Sequence, residues 1–168
     1  MIDCDVIWPD VADVQLEGGR LIDCAALEPV VGRWVADDST WRSVRLADGR
    51  IGSLLLTGAR VNSLTATDMR IGYLDLRGAA ITDLHVTGCR IDTLDLTGAQ
   101  LTRATFPGCQ VGEVLLSHAR LEAVDLRGAD IGHLEGVAAL RGTTIGSDQL
   151  LTLAPLIAEA LGVVVSDD

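Results

Sequence analysis

The sequence predicts an all-β solenoid, a stack of short strands closed by a short helical cap at its C-terminal end. Three observations predict it. Apolar residues recur every five positions through the centre of the chain, similar residues line up at intervals of twenty, and glycine recurs at a fixed place in this pattern. Neither the 3.6-residue period of a helix nor the two-residue period of a single strand fits such a span.

The five-residue repeat continues without a break from Val61 to Ile131 in two columns. The first column is Val61, Ala66, Ile71, Leu76, Ile81, Val86, Ile91, Leu96, Leu101, Phe106, Val111, Leu116, Leu121, Leu126 and Ile131. The second column lies two residues before each of these, from Ala59 to Ala129. Two inward side chains followed by a polar corner describe a short strand and a turn. Such a unit buries its apolar side only by stacking on its neighbours.

These residues resemble the repeats of the pentapeptide-repeat family, whose unit is a small residue, a polar residue, Leu or Phe, and two variable residues. Three units fit closely: AAITD at 79–83, CRIDT at 89–93 and ADIGH at 129–133. The resemblance covers about Trp41 to Leu134. It implies a right-handed, quadrilateral parallel β-helix with four pentapeptides in each coil, and five such coils would make a rod roughly 24 Å long.

The corners of the coils are expected to be of two kinds. Six glycines follow the first column at a place where a type II turn needs a positive φ: Gly58, Gly78, Gly88, Gly98, Gly108 and Gly128. The other corners carry Ser63, Tyr73, Asp83 and Glu113, and these are expected to turn without a positive φ.

Three regions follow from these patterns. Residues 1–40 are expected to form a degenerate first coil, at 14–26, and an N-terminal capping segment, with a loop or cap at 27–40. Trp34 and Trp41 would cover the open N-terminal end of the core. Residues 41–146 form the β-helix, and residues 147–168 form a helical cap and dimerisation segment.

The C-terminal segment is expected to hold two short helices, 148–153 and 155–161, with Ser147 as N-cap. Pro155 would separate them because it lacks an N–H. Six apolar residues are candidates for the cap or a dimer contact: Leu150, Leu151, Leu153, Leu156, Ile157 and Leu161. The alternatives are a cap alone and a cap that also forms a two-fold homodimer. The resemblance implies the second, because related proteins often dimerise through this segment.

Two cysteine pairs are also separated by twenty residues, Cys4 with Cys24 and Cys89 with Cys109. Stacked at strand spacing, each pair could form a disulfide. The alternative, buried free thiols, is favoured because no secretion signal is visible, and the same observation predicts a cytoplasmic protein.

No apolar stretch approaches a membrane-spanning length. All 13 basic residues are arginine, which is typical of a GC-rich bacterial source.

No catalytic, cofactor or metal site is expected. The three histidines fall on different outward columns without ligands at a suitable spacing. Asp75 and Asp95 stack on one face, and we interpret them as solvated surface charges. A candidate interaction surface combines them with a tyrosine and three stacked arginines, and its members are Arg50, Arg70, Arg90, Tyr73, Asp75 and Asp95. The three arginines would form either an anion-binding strip or a solvated ladder paired with Asp68, Asp92 or neighbouring carboxylates.

The sequence therefore predicts a non-catalytic protein-binding or scaffold module whose partner is another protein, without direct nucleic-acid or membrane binding. The resemblance implies an alternative, since some family members mimic DNA, bind DNA gyrase or topoisomerase IV and modulate fluoroquinolone sensitivity. The net charge of −11 invites that interpretation, but residues 41–140 contribute only −1 and residues 1–40 contribute −7. The unbroken repeat also leaves no room for the loops on which some gyrase-protecting relatives depend.

Overall fold

The computed structural model describes residues 4–7 and 10–166, with side chains from residue 10 onward, as a parallel β-solenoid of about six turns with one C-terminal helix. Its strands alternate between two seven-stranded sheets. The first sheet contains β1 Cys4–Ile7, β3 Arg20–Leu27, β5 Thr40–Ala47, β7 Arg60–Thr67, β9 Ala80–Thr87, β11 Gln100–Thr105 and β13 Arg120–Asp125. The second contains β2 Val11–Gln15, β4 Val30–Val35, β6 Arg50–Leu55, β8 Arg70–Asp75, β10 Arg90–Asp95, β12 Gln110–Leu115 and β14 Asp130–Glu135.

Each strand pairs in parallel with the strand twenty residues later, as Ile71 with Ile91 in β8 and β10. This register places like residues of successive coils above one another, so the predicted solenoid is confirmed. Both apolar columns point into the lumen. Every residue of the second column from Ala59 to Ala129 is buried. The first column is buried except at Leu121 and Ile131, which are half-buried near the C-terminal end.

The N-terminal region is more regular than the sequence indicated. Residues 27–40 were expected to be a loop or cap, but they contain β4, which pairs with both β2 and β6. That expectation was wrong because the weak apolar pattern there still supplies inward residues. The rod is also longer than five coils, since six intervals between the strands of one sheet give about 29 Å.

Trp34 and Trp41 do not cover an open end. Trp34 is stacked in register between Val14 and Leu54, and Trp41 is stacked between two coils in the same way. Their rings lie 5.6 Å apart at 47°. Both side chains are almost fully buried and fill the lumen, Trp34 one coil and Trp41 two coils from the N-terminal end.

The corners follow the prediction only in part. The six glycines all have positive φ values, from 62° at Gly78 to 77° at Gly128. Ser63 and Asp83, however, also have positive φ values of 65° and 59°, so the expectation for that corner was wrong. The corner requires the left-handed conformation, which small polar side chains tolerate better than most residues do. At the remaining corner, Tyr73 and Glu113 turn without a positive φ, as predicted.

The C-terminal cap is a 3-10 helix, Val137–Leu140, followed by one continuous helix, α1, Ser147–Ala160. The predicted break at Pro155 is absent from α1, because Leu153 and Leu156 on either side of the proline both pack against the core. Gly146, not Ser147, is the N-cap, and its N–H donates to Gln149 Oε1 at 2.7 Å. Among the described residues, no helix is long and apolar enough to cross a membrane.

Candidate functional site

Asp75 and Asp95 lie next to each other at the ends of β8 and β10, where the sequence placed them. They are not solvated charges as predicted, because their exposed fractions are only 1% and 6%. In the sheet register Asp75 also neighbours Leu55, and Asp95 neighbours Leu115. These half-buried leucines flank the two carboxylates along the column and contribute to their burial.

Arg77 satisfies most of this buried charge. Its guanidinium donates through Nε to Asp75 Oδ1 at 3.0 Å and through Nη2 to Asp75 Oδ2 at 2.6 Å, and its backbone N–H donates to Oδ1 at 3.0 Å. Nε also lies 3.8 Å from Asp95 Oδ2. Asp95 accepts hydrogen bonds from the Tyr73 hydroxyl at 3.0 Å and from the Thr97 N–H at 2.9 Å. The cluster is therefore two carboxylates held by one guanidinium, a phenol and backbone donors.

The electrostatics of the cluster follow from these contacts. Burial opposes ionisation of Asp75, but the hydrogen bonds from Arg77 outweigh it and lower the pKa of this carboxyl. Burial and the hydrogen bond to Asp95 raise the pKa of Tyr73 to about 12. Tyr73 thus remains a protonated donor and Asp75 remains ionised at neutral pH. The arrangement holds an arginine and a tyrosine rigidly at the surface, and both types are enriched at protein-binding hot spots.

Sequence reasoning did not identify Arg77, although a signal for it was present. An Asp-Leu-Arg triplet ends β8 at 75–77 and recurs after β13 at 125–127. There Arg127 makes the same contact, with Nε 2.9 Å from Asp125 Oδ1 and Nη2 2.6 Å from Oδ2. The hydrogen bonds from Arg127 lower the pKa of Asp125 to about 2. The repeated triplet marks a corner at which an aspartate binds the N–H and the side chain of the residue two positions later.

Arg50, Arg70 and Arg90 form the predicted ladder on β6, β8 and β10 in the same sheet. All three are exposed. Of these three arginines, only Arg90 has a carboxylate of the described residues within 4.0 Å, with its Nε 3.9 Å from Asp92 Oδ1. Both of these side chains are about 70% exposed, so the pair is weak. Within the part of the chain that the structure describes, the predicted pairing with Asp68 is therefore absent, and two of the three guanidinium groups have no anionic partner.

An open groove of about 670 Å³ lies along this ladder. Its floor includes Gly52 and Gly72, which follow the arginines on neighbouring coils. A Cβ on Gly72 would lie 2.5 Å from the carbonyl oxygen of Gly52, which is too close for a side chain. The absence of side chains at Gly52 and Gly72 therefore keeps this part of the floor low. Asp68 and Asp92 line the same groove.

The six apolar residues proposed for the C-terminal cap separate into two groups. Leu153 is buried, and Leu156 and Ile157 pack partly buried against the core. Leu150, Leu151 and Leu161 are exposed, Leu151 by 77%. The exposed surface continues into the tail at Val163, Val164 and Val165.

The cysteines do not form a surface site. Cys89 and Cys109 are buried free thiols in the lumen, and Cys24 is a free thiol that is half-buried. The hydrogen bond between Cys89 and Cys109, together with burial, raises the pKa of Cys89. Cys4 pairs in register with Cys24, but its side chain lies outside the described residues. No group of three or more His, Cys, Asp or Glu residues in the described part of the chain could hold a metal ion.

The coils and their stacked faces define the class of protein, a parallel β-solenoid with unbroken lateral surfaces. A family model described as pentapeptide repeats matches residues 95–131 in eight copies, so the chain carries pentapeptide repeats and the resemblance to that family is confirmed. No curated protein matches the chain.

One solved structure that matches is that of a trypsin-treated variant of QnrB1, a plasmid-mediated fluoroquinolone resistance protein. It is 17% identical, and the match covers 98% of this chain and 95% of that one with a TM-score of 0.31. At this identity and score, nothing about binding carries over from QnrB1 to this chain.

Proposed function

We propose that the protein is a non-catalytic protein-binding scaffold that forms a homodimer through its C-terminal segment. The observation that carries this proposal is the exposed apolar surface at that end. It consists of Leu150, Leu151, Leu161, Val163, Val164 and Val165. A concentration of exposed large apolar side chains in one segment supports contact with another protein.

A second copy of the chain is the occupant that this surface fits best. The opposite side of α1 already packs on the last coil through Leu153, so the outward side remains for a partner. Only Asp148 and Glu159 are charged in α1, so two such helices meet with little repulsion. Isologous pairing through the same patch is also the commonest way in which chains associate. End-to-end pairing would leave the lateral faces of both rods open for a further partner.

Sedimentation equilibrium tests the dimer. The wild-type protein is expected at twice 17.7 kDa, and the double variant Leu151→Glu/Val164→Glu at the mass of one chain. Thr87→Glu/Gln100→Glu is the matched control, because it also adds two negative charges, at exposed positions on β9 and β11. A wild-type protein that stays monomeric at high concentration would overturn the dimer.

The hydrogen bonds within the buried polar cluster of Asp75, Asp95, Arg77 and Tyr73 support the non-catalytic part of this proposal. Both oxygens of Asp75 accept hydrogen bonds from Arg77, and Tyr73 is held protonated by Asp95. Neither carboxyl oxygen of Asp75 is left to take a proton from a substrate. The cluster instead acts as a rigid support for surface side chains.

The alternative function is a DNA-mimicking binder of DNA gyrase or topoisomerase IV. One observation favours it, since Glu28, Asp48 and Asp68 stack at one corner on successive coils. Against it, Asp75, Asp83 and Asp125 are neutralised by arginines. A supercoiling assay with and without a fluoroquinolone, at two salt concentrations, decides between them. Salt-sensitive inhibition or drug protection at micromolar protein would place the mimic first.

A further inference from the structure

We propose that Arg50, Arg70 and Arg90 form a docking strip for an acidic, extended segment of a partner protein that lies along the axis of the rod. This inference rests on the proposed scaffold function and names the chemistry of the partner. It depends on the Arg ladder and the groove beside it, and it is independent of the C-terminal dimer surface.

The spacing of the ladder suits a short extended segment. The three arginines occupy one register position on consecutive coils, about 4.8 Å apart, so the strip is about 10 Å long. About three residues of extended chain cover that length. Each guanidinium is planar and presents donors in a fork that matches a carboxylate. Stacked unpaired guanidinium groups also repel one another, and bound carboxylates relieve that repulsion.

The ends of the strip define the direction and the length of the segment. On the N-terminal side, the register position of the arginines is occupied by Val30, which is 42% exposed, with Leu27 also 42% exposed nearby. On the C-terminal side it is occupied by Gln110 and then Asp130. The strip therefore has exposed apolar residues at its N-terminal end. At its C-terminal end Asp130 repels any further negative charge of a bound segment. The partner segment would carry an apolar residue next to a run of about three acidic residues.

The surrounding charge favours a peptide over a nucleic acid. Asp68 and Asp92 line the same groove, so the groove carries only a small positive excess. The protein as a whole carries −11. A duplex has one negative charge per about 1.7 Å of its axis and would be repelled by the acidic corner beside the strip. A short acidic segment places about three carboxylates on the arginines and brings far fewer negative charges beside Asp68 than a duplex does.

Fluorescence anisotropy with labelled peptides tests the strip. The first peptide carries a leucine followed by three glutamates, the second replaces the glutamates with glutamine, and a single-stranded oligonucleotide is the third probe. The wild-type protein is expected to bind the glutamate peptide more tightly than the other two, and more weakly as salt increases. The triple variant Arg50→Gln/Arg70→Gln/Arg90→Gln is expected to weaken that binding about tenfold.

The matched control is Arg20→Gln/Arg60→Gln/Arg120→Gln, which removes the same charge from exposed positions of the other sheet. Equal weakening by both triple variants, equal binding of the two peptides, or tighter binding of the oligonucleotide would overturn the strip. Circular dichroism checks that both variants fold. If the glutamate peptide does not bind while sedimentation still shows a dimer, the strip is wrong and the scaffold proposal stands. If the peptide binds a monomeric protein, the strip and the protein-binding function stand and the homodimer is wrong.

Discussion

The middle coils and the two ends of the rod are built from the same five-residue unit, but they bury it to different extents. Leu101 in the middle is 1% exposed, whereas Leu21 and Leu121, in the same inward column, are only half-buried. Leu21 lies next to the short first strands, and Leu121 lies next to the last coil. In this column, a position is thus fully buried only where complete coils cover it on both sides.

The same two regions differ in how they handle charge. In the middle, Asp75 and Asp83 each form a close ion pair with an arginine. Residues 1–40, in contrast, carry nine acidic residues and two arginines. These two middle carboxylates are therefore neutralised by arginines, while the N-terminal region carries an excess of negative charge.

The largest expected difference between middle and end is in core packing. Leu101→Ala should lower the free energy of unfolding by about 2–5 kcal/mol, because it leaves a cavity between complete coils. Leu21→Ala removes the same atoms from the same column and should cost about half as much or less, because Leu21 is half-buried. Urea denaturation of both variants measures this. Equal losses would show that the end coil is packed as tightly as the middle.

The second comparison concerns the two Asp-Leu-Arg corners. Asp75→Asn should lower the free energy of unfolding by about 1–3 kcal/mol at pH 7, since it weakens a buried carboxylate–guanidinium pair. Asp125→Asn disrupts the same contact near the C-terminal end, where it is more exposed, and should have a much smaller effect. Denaturant midpoints of the two variants give the comparison, and an equal or larger loss at Asp125 would contradict it.

The effect of Asp75 should also depend on pH with a defined sign. Its pKa is lowered in the folded state, so its contribution is fully present above the ordinary carboxyl pKa of about 4. The contribution is lost as the pH falls through the lower folded pKa. The difference in stability between wild type and Asp75→Asn should therefore shrink below about pH 4. A difference in stability that grows as the pH falls would contradict a stabilising role for the ionised Asp75 carboxylate.

The smallest expected effect leaves the fold unchanged and concerns how readily a reagent reaches each cysteine thiol. In a Cys4→Ser background, the half-buried Cys24 should react with a thiol reagent in the native protein. Cys89 and Cys109 should react only on unfolding, because both are buried and the pKa of Cys89 is raised. Counting modified thiols by mass spectrometry before and after adding denaturant checks this. Rapid native reaction at Cys89 would show that the middle coils open.

Much of the fold could be predicted because the repeat restricts each position to one environment. The inward columns and the glycine corners follow from the five-residue period alone. The left-handed corner at Ser63 and Asp83 was missed because serine and aspartate also occupy ordinary turns, so residue type did not reveal the backbone. The regular coil at 27–40 was missed because Pro29 and the aspartates there are typical of loops. The pairing of β4 with its neighbours outweighs those local preferences.

The sequence by itself determined the solenoid and its two inward columns, because both follow from the five-residue spacing, and the family resemblance it carries implied the register of twenty residues and with it the ladder of Arg50, Arg70 and Arg90. Only the tertiary structure decided that Asp75 and Asp95 are buried, that Arg77 holds them and that Pro155 lies inside one helix. These features depend on side chains from different coils and on the packing of α1 against the last coil. The burial of a side chain depends on which residues of other coils pack against it, and the spacing of residues along the chain does not contain that information.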